Sequence, residues 1–175
     1  MTILPRSAII QGKEFEMCFS IFKKKTVIPE PVIPDPVIPE SETIEMTRAD
    51  FIKEMNKQGI KAFSELTPLD STVRLASKAE LDRIAPELVY PADWYINDIY
   101  DCEDYGLQAQ LDAGRKFEIT VRLGLGNTEL GYHGFAITLD RDLNLWLLEP
   151  NVGFPWAGVW FKDGENDYHP DKVFI

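Results

Sequence analysis

A proline repeat near the N-terminus constrains the fold more than any other feature of this 175-residue chain. Residues 27–41 read VIPEP, VIPDP and VIPES, and their prolines fix φ and remove backbone N–H donors. Because neither a helix nor a central strand can form there, the segment is predicted to be a polyproline-II linker or, alternatively, a docking segment for a partner. The predicted domains are an N-terminal arm (1–25), a proline-rich linker (26–41) and one folded domain (42–175).

The charge and hydropathy of the chain exclude several kinds of partner. The net charge is −11, and residues 89–175 hold 15 acidic against 6 basic side chains. A phosphate backbone would be repelled there, so nucleic acid is not an expected partner. No stretch approaches the roughly 20 apolar residues that span a bilayer, and the N-terminus lacks the apolar core of a secretory signal. A cytoplasmic or virion-associated location is therefore expected, while the oligomeric state stays open.

Local patterns predict helices first and strands after them. Thr47 is a predicted N-cap and Gly59 a predicted stop for the first helix. One or two short helices are predicted over residues 67–88, with Ser77 as a cap and an ordered loop after them. Asp101 then caps a helix with a buried face of mostly small residues. From residue 118 the period changes to two, which predicts strands over 118–125, 131–139, 143–149, 158–161 and 172–175.

Two residues in the second half of the chain, a cysteine and a histidine, form a candidate nucleophile and base. Cys102 begins the predicted helix, where backbone N–H groups and the helix dipole favour a thiolate. The acidic residues beside it disfavour that ionisation, so a basic imidazole would have to supply most of the activation. His133 lies near the start of a predicted strand, in the sequence GYHGFAI. The other histidine, His169, lies in a polar, proline-broken segment and is the weaker candidate base.

The hairpin after His133 offers two residues that could orient its ring. If the turn is 140–142, His133 lies opposite Glu149 on the same face of the sheet. If the turn is 141–143, His133 faces Asn151 instead. Either side chain could accept the second N–H of the imidazole, as the third member of a catalytic triad does. The sequence favours Glu149, because a carboxylate stabilises an imidazolium better than an amide does.

Other constellations are weaker. The sequence DRDLN at 140–144 begins like an EF-hand loop but lacks the glycine and the final glutamate, so a hairpin turn is predicted. Two cysteines, Cys18 and Cys102, form neither a disulfide framework nor a zinc site. The aromatic residues around 94–95 and 154–160 could wall a substrate groove or a sugar platform, although most are expected in the core.

The blocks YDCEDYGLQAQ, GYHGFAITL and LWLLEPN resemble the bacterial transglutaminase-like cysteine proteinases and related phage-encoded proteins. The resemblance covers residues 90–151. It implies an α+β papain-like/transglutaminase-like core, with N-terminal helices and a Cys-bearing core helix packed on an antiparallel sheet. It also implies Cys102 as nucleophile, His133 as general base and Glu149 as orienter, although the family has Asp at that last position.

These expectations define a hypothesis and its rival. The hypothesis is a thiol-dependent amide hydrolase or acyl transferase, a cysteine peptidase-like protein that acts on a peptide or protein amide through a thioester. No metal or organic cofactor is implied. The rival is a non-catalytic binding or structural module, in a phage-associated setting, that keeps the fold without the reaction.

Overall fold

The structure, a computed structural model, describes residues 38–63 and 71–175. The predicted N-terminal arm and most of the proline-rich linker lie outside these residues. Ile38, from the last repeat, is buried in the hydrophobic core with 3% of its surface exposed. The folded part of the chain therefore includes Ile38, which lies inside the segment that the sequence assigned to the linker.

Within residues 38–63 and 71–175, three α-helices form where local signals predict helix ends. They are α1 (Arg48–Lys57), α2 (Lys78–Ile84) and α3 (Cys102–Phe117). The Thr47 and Ser77 side chains accept hydrogen bonds from the backbone two to three residues into α1 and α2, as the sequence predicted. At α3 the predicted capping box of Asp101 and Asp104 forms, and the Asp104 carboxylate accepts from the Asp101 N–H at 3.1 Å. Among the described residues, no helix is long and apolar enough to cross a membrane.

The strands form two sheets. They are β1 (Thr43–Thr47), β2 (Lys61–Phe63), β3 (Thr72–Ala76), β4 (Arg122–Thr128), β5 (Gly131–Leu139), β6 (Leu145–Leu148), β7 (Trp160–Phe161) and β8 (His169–Phe174). Strands β1 and β3 form an antiparallel pair. The larger sheet has the order β2-β8-β4-β5-β6-β7, and it is mixed because β2 runs parallel to β8.

This architecture corrects the predicted one. The sequence predicted helices before strands and an antiparallel sheet, but three strands precede the Cys102 helix and the main sheet is mixed. Residues 72–76, predicted as helix, form β3 because they alternate buried and exposed side chains and pair with β1, which lies about thirty residues earlier. That pairing depends on contacts distant in sequence, which local propensity does not register.

Helix α3 packs on β4 and β5 through small residues. Its predicted buried face is confirmed, since Gly106, Ala109 and Ala113 are all buried. Gly134 of β5 lets the helix start approach: a Cβ added there would lie 2.9 Å from the Glu103 Cα. The first turn of α3, which carries Cys102, therefore lies directly against β5.

The turn between β5 and β6 is organised by one buried carboxylate. Asp140 is 2% exposed and accepts hydrogen bonds from the Asp142 and Asn144 N–H groups, the Asn144 amide and the Trp146 indole. These bonds set a loop in which the Asp140 N–H donates to the Asn144 carbonyl. The loop is thus a hairpin turn, as the sequence predicted.

We expect Asp140→Ala to lower the free energy of unfolding by about 2 kcal/mol, because it removes the acceptor that the part-buried donors of Asp142, Asn144 and Trp146 share. Urea denaturation followed by fluorescence would measure the loss. Asp142→Ala is the matched control, since this neighbouring carboxylate is exposed and its variant should stay within about 0.5 kcal/mol of the parent. Equal losses from the two substitutions would contradict this account of the turn.

Candidate functional site

The pairing of β5 with β6 is the register that the sequence disfavoured. Leu139 pairs with Leu145 and Ala136 with Leu148, so the predicted preference for the other register is wrong. Continued by one residue, the observed register places Glu149 opposite Phe135, two positions along the strand from His133. Alternate residues of a strand share a face, and a long side chain can reach the diagonal neighbour.

Glu149 makes that diagonal contact with His133. The His133 Nε2 lies 2.8 Å from the Glu149 Oε2, and the Glu149 side chain is only 1% exposed. Asn151, the alternative orienter, lies beyond the end of β6 and its side chain instead accepts from the Gly153 N–H at 2.8 Å. The structure therefore brings His133 and Glu149 together, while the Asn151 side chain is occupied elsewhere.

Cys102 begins α3 directly against β5, next to His133. A Cβ added at Gly134 would lie 3.0 Å from the Cys102 carbonyl carbon. Interaction with the Cys102 thiol is also among the causes that raise the pKa of His133. The thiol donates to the Glu103 carboxylate at 3.3 Å. The site thus combines a thiol, an imidazole and a buried carboxylate.

The groups around His133 favour the charged form of its imidazole. Burial lowers the pKa of His133, but hydrogen bonds to Cys102 and Glu149 and the charge of Glu149 outweigh it and raise the pKa to about 9. At neutral pH the ring is therefore protonated. An imidazolium beside a thiol is the arrangement that favours the ionised, nucleophilic form of cysteine.

Two further groups hold the Glu149 carboxylate. The Tyr168 hydroxyl donates to Oε2 at 2.7 Å, and the Asn151 N–H donates to Oε1 at 2.8 Å. Tyr168 is 1% exposed, and its ring packs edge-on against His133. The role of Tyr168 could not be recognised from the sequence, because this residue lies 19 positions after Glu149 in a polar segment and is brought to the carboxylate only by the fold.

Aromatic side chains wall the site. Phe154 lies against the His133 ring, with 5.3 Å between ring centroids, and Trp156 packs edge-on against Tyr168. Phe154, Trp156 and Tyr168 also line a cavity of about 100 Å³ beside the site. The expectation that most of the aromatic residues lie in the core holds for Trp160, whereas Trp94 and Tyr95 are about half exposed and Phe154 and Trp156 lie at the partly exposed site.

The acidic neighbours of Cys102 interact with one another. Hydrogen bonding between Asp101 and Glu103 raises the pKa of Asp101 and lowers that of Glu103, so one proton is shared more readily between them. The ligand atoms of Asp101, Cys102 and Glu103 lie within 4.8 Å of one another. Because the three residues are consecutive at the start of a helix, their side chains lie close together without any metal ion to hold them.

The second histidine lies outside the site. His169 begins β8, so the expectation that no strand holds it was wrong. Its side chain is 61% exposed and forms an ion pair with Asp163 at 3.4 Å. His133 is therefore the histidine that the described structure places beside Cys102.

Comparison with solved structures shows that the fold of this chain is similar to that of known proteins. No protein-family model matches the chain, and no curated protein is similar to it in sequence. Two similar solved structures are PSL1a in complex with E64 and the Polyporus squamosus lectin bound to the human-type influenza-binding epitope Neu5Acα2-6Galβ1-4GlcNAc. Both have a TM-score of 0.53 and 14% identity over 75% of this chain. The chain spans about half of theirs, 51% and 49% respectively.

These findings correct the sequence-based identification. The expected kinship with transglutaminase-like cysteine proteinases finds no support from any family model or curated protein, and the similar structures include a lectin. The predicted papain-like/transglutaminase-like fold class is corrected in the same way. The predicted amide hydrolase or acyl transferase and its peptide or protein amide substrate are also corrected, since the lectin is bound to a glycan.

Proposed function

We propose that this domain is a binding module whose ligand lies over Cys102, His133 and Glu149, and that Cys102 is a nucleophilic thiol within that site. The observation that carries the proposal is the contact of the His133 imidazole with the buried Glu149 carboxylate at 2.8 Å, on the strand against which Cys102 begins α3. A buried carboxylate held by three donors is not needed to fill a core. Its position behind His133 is explained if the module retains a ligand through the thiol.

The surroundings support a site that is open to a ligand. Cys102 is partly exposed, whereas Glu149 and Tyr168 behind it are buried. The cavity beside Phe154 and Trp156 offers an apolar surface near His133, whose ring contacts both Phe154 and Tyr168. A cytoplasmic or virion-associated location remains a prediction of the sequence.

A second candidate ligand is a glycan. The observation that favours it is the likeness of fold to a glycan-bound lectin, together with aromatic rings exposed to solvent. Trp94, Tyr95 and Tyr132 are each about half exposed, at 45%, 47% and 50%. Titration with Neu5Acα2-6Galβ1-4GlcNAc, followed by tryptophan fluorescence, tests this candidate. A saturable change that Trp94→Ala abolishes would support it, and a flat titration would remove it.

Thiol reactivity tests the proposed site. In a Cys18→Ser background, we expect iodoacetamide to modify Cys102 at pH 6 at least tenfold faster than it modifies free cysteine, because the imidazolium favours the thiolate. Mass spectrometry of the intact protein would follow the modification, with E64 as a second probe.

Two histidine variants show whether Cys102 reacts because His133 activates its thiol or only because the thiol is exposed. His133→Ala should slow the modification of Cys102 by a factor of ten or more, while His169→Ala should leave the rate unchanged. Circular dichroism would confirm that both variants remain folded. A rate for the parent protein no faster than that of free cysteine, or an equal rate in His133→Ala, would refute the nucleophilic role.

A further inference from the structure

The cavity of about 100 Å³ shares two of its walls with the His133 imidazole. We call it the Leu130 pocket. Its walls are three aromatic side chains and parts of two turns: Phe154, Trp156, Tyr168, residues 128–130 and Asn166. The Phe154 and Tyr168 rings lie against His133, with 5.3 and 5.8 Å between ring centroids. A ligand that contacts the imidazole therefore lies next to this pocket.

The charge of the thiol is felt at one wall of the pocket. Burial raises the pKa of the Tyr168 hydroxyl, and the charges of Glu149 and Cys102 raise it further. The Cys102 sulfur is thus within electrostatic range of a side chain that lines the pocket. The pocket is therefore placed to receive a group carried by a ligand at the thiol.

The turn between β4 and β5 presents an exposed leucine to the pocket. Leu130 lines the cavity, yet 80% of its surface is exposed. Thr128 fixes this turn, because its hydroxyl donates to the Gly131 carbonyl at 3.0 Å and accepts from the Leu130 N–H at 3.2 Å. A large apolar side chain is therefore held at the surface, where an apolar group of a ligand would remove it from water.

A strained turn forms another part of the wall. Asn166 lines the cavity and has a φ of 56°, and the next residue, Asp167, has a φ of 59°. Left-handed conformations cost free energy in residues other than glycine, and such strain is concentrated at functional sites. Tyr168 follows directly, so the strained turn delivers this side chain both to Glu149 and to the pocket.

We propose that the Leu130 pocket binds a branched aliphatic group, about the size of isobutyl, on the ligand that the thiol retains. This inference rests on the proposed function, since it names the part of the ligand beside the thiol. Apolar walls favour an aliphatic group, and the cavity is smaller than the roughly 150 Å³ that accommodates a benzene ring. Glu129 also lines the pocket, and its charge disfavours a carboxylate there.

A series of N-alkyl iodoacetamides tests the pocket in the Cys18→Ser protein. In each reagent the Cys102 thiolate bonds to the iodomethyl carbon as the carbon–iodine bond breaks and iodide leaves, so only the alkyl group varies. Each rate, followed by mass spectrometry of the intact protein, is divided by the rate of the same reagent with free cysteine.

The isobutyl reagent should be the preferred one. Each buried methylene favours binding by about fourfold, so we expect N-isobutyl iodoacetamide to show a relative rate about tenfold or more above that of the N-methyl reagent. A reagent of similar size whose alkyl group ends in a carboxylate should show no such gain, because of Glu129.

Two leucine variants test whether the preference arises in the pocket. Leu130→Ser removes an apolar wall and should reduce the isobutyl preference to about threefold or less. Leu111→Ser is the matched control and should keep the full preference, since Leu111 is also exposed, at 64%, but does not line the pocket. Circular dichroism would confirm that both variants remain folded.

The results separate this inference from the proposed function. Equal relative rates for the methyl and isobutyl reagents, with a thiol that reacts fast with iodoacetamide, would overturn the pocket and leave the nucleophilic site standing. A slow thiol that still prefers the isobutyl reagent would support the pocket and refute the nucleophilic role. A preference that is unchanged in Leu130→Ser would place the aliphatic group elsewhere and overturn the assignment.

Discussion

The free energy of unfolding of this domain should fall by up to about 3 kcal/mol as the pH rises from 6.5 to 9. The cause is His133, whose pKa rises from 6.5 in the unfolded chain to about 9 in the folded protein. Between these values the folded state binds a proton that the unfolded state has released. The stabilisation is therefore complete below pH 6.5 and is lost as the pH passes through the folded pKa.

Urea denaturation at intervals of half a pH unit would measure this slope. His133→Gln should flatten it over the same range, because the titrating ring is gone. His169→Gln is the matched control and should keep the slope of the parent, since that ring is exposed and lies outside the site. A slope that persists in His133→Gln would assign the effect to another group.

Replacing Glu149 with leucine should lower the free energy of unfolding by about 4 kcal/mol at pH 6. The substitution leaves a buried imidazolium without its carboxylate partner, and it removes the acceptor for the Tyr168 hydroxyl and the Asn151 N–H. Leucine nearly matches the size of the side chain, so the loss reports the charge and hydrogen bonds rather than a cavity. Equilibrium denaturation would measure it.

Graded variants identify the source of this loss. Tyr168→Phe keeps the ring and removes one hydrogen bond, so it should cost about 1 kcal/mol. Glu129→Leu changes an exposed carboxylate in the same way and should stay within about 0.5 kcal/mol of the parent. If Glu149→Leu is as stable as Glu129→Leu, the buried carboxylate does not hold the site together.

Much of the local structure could be predicted because its causes lie within a few residues. Thr47 and Ser77 accept hydrogen bonds from the turns that they cap, and Asp104 reaches back to Asp101. Strand β5 has the predicted bounds, Gly131 and Leu139, and its last six residues form a continuous buried run. The same local chemistry places Cys102 at a helix start and His133 on a strand.

The sheet order and the hairpin register could not be predicted in this way. Strand β3 exists because β1 pairs with it, and both Asp140 and its donors decide the turn that sets the register of β6. A shift of one turn position changes which side chains lie opposite one another. The preference for Glu149 implied the wrong register, yet the contact forms because a glutamate can span the diagonal.

The sequence by itself determined where the helices begin, which residues bear the thiol and imidazole, and that a repeat of Val-Ile-Pro precedes the domain. Only the tertiary structure decided that Ile38 is buried, that Tyr168 holds Glu149, and that Gly134 lets Cys102 approach His133. The physical reason is the range of the interactions. Caps and alternation act over three or four residues, whereas burial and cross-strand contact depend on which distant segments pack together.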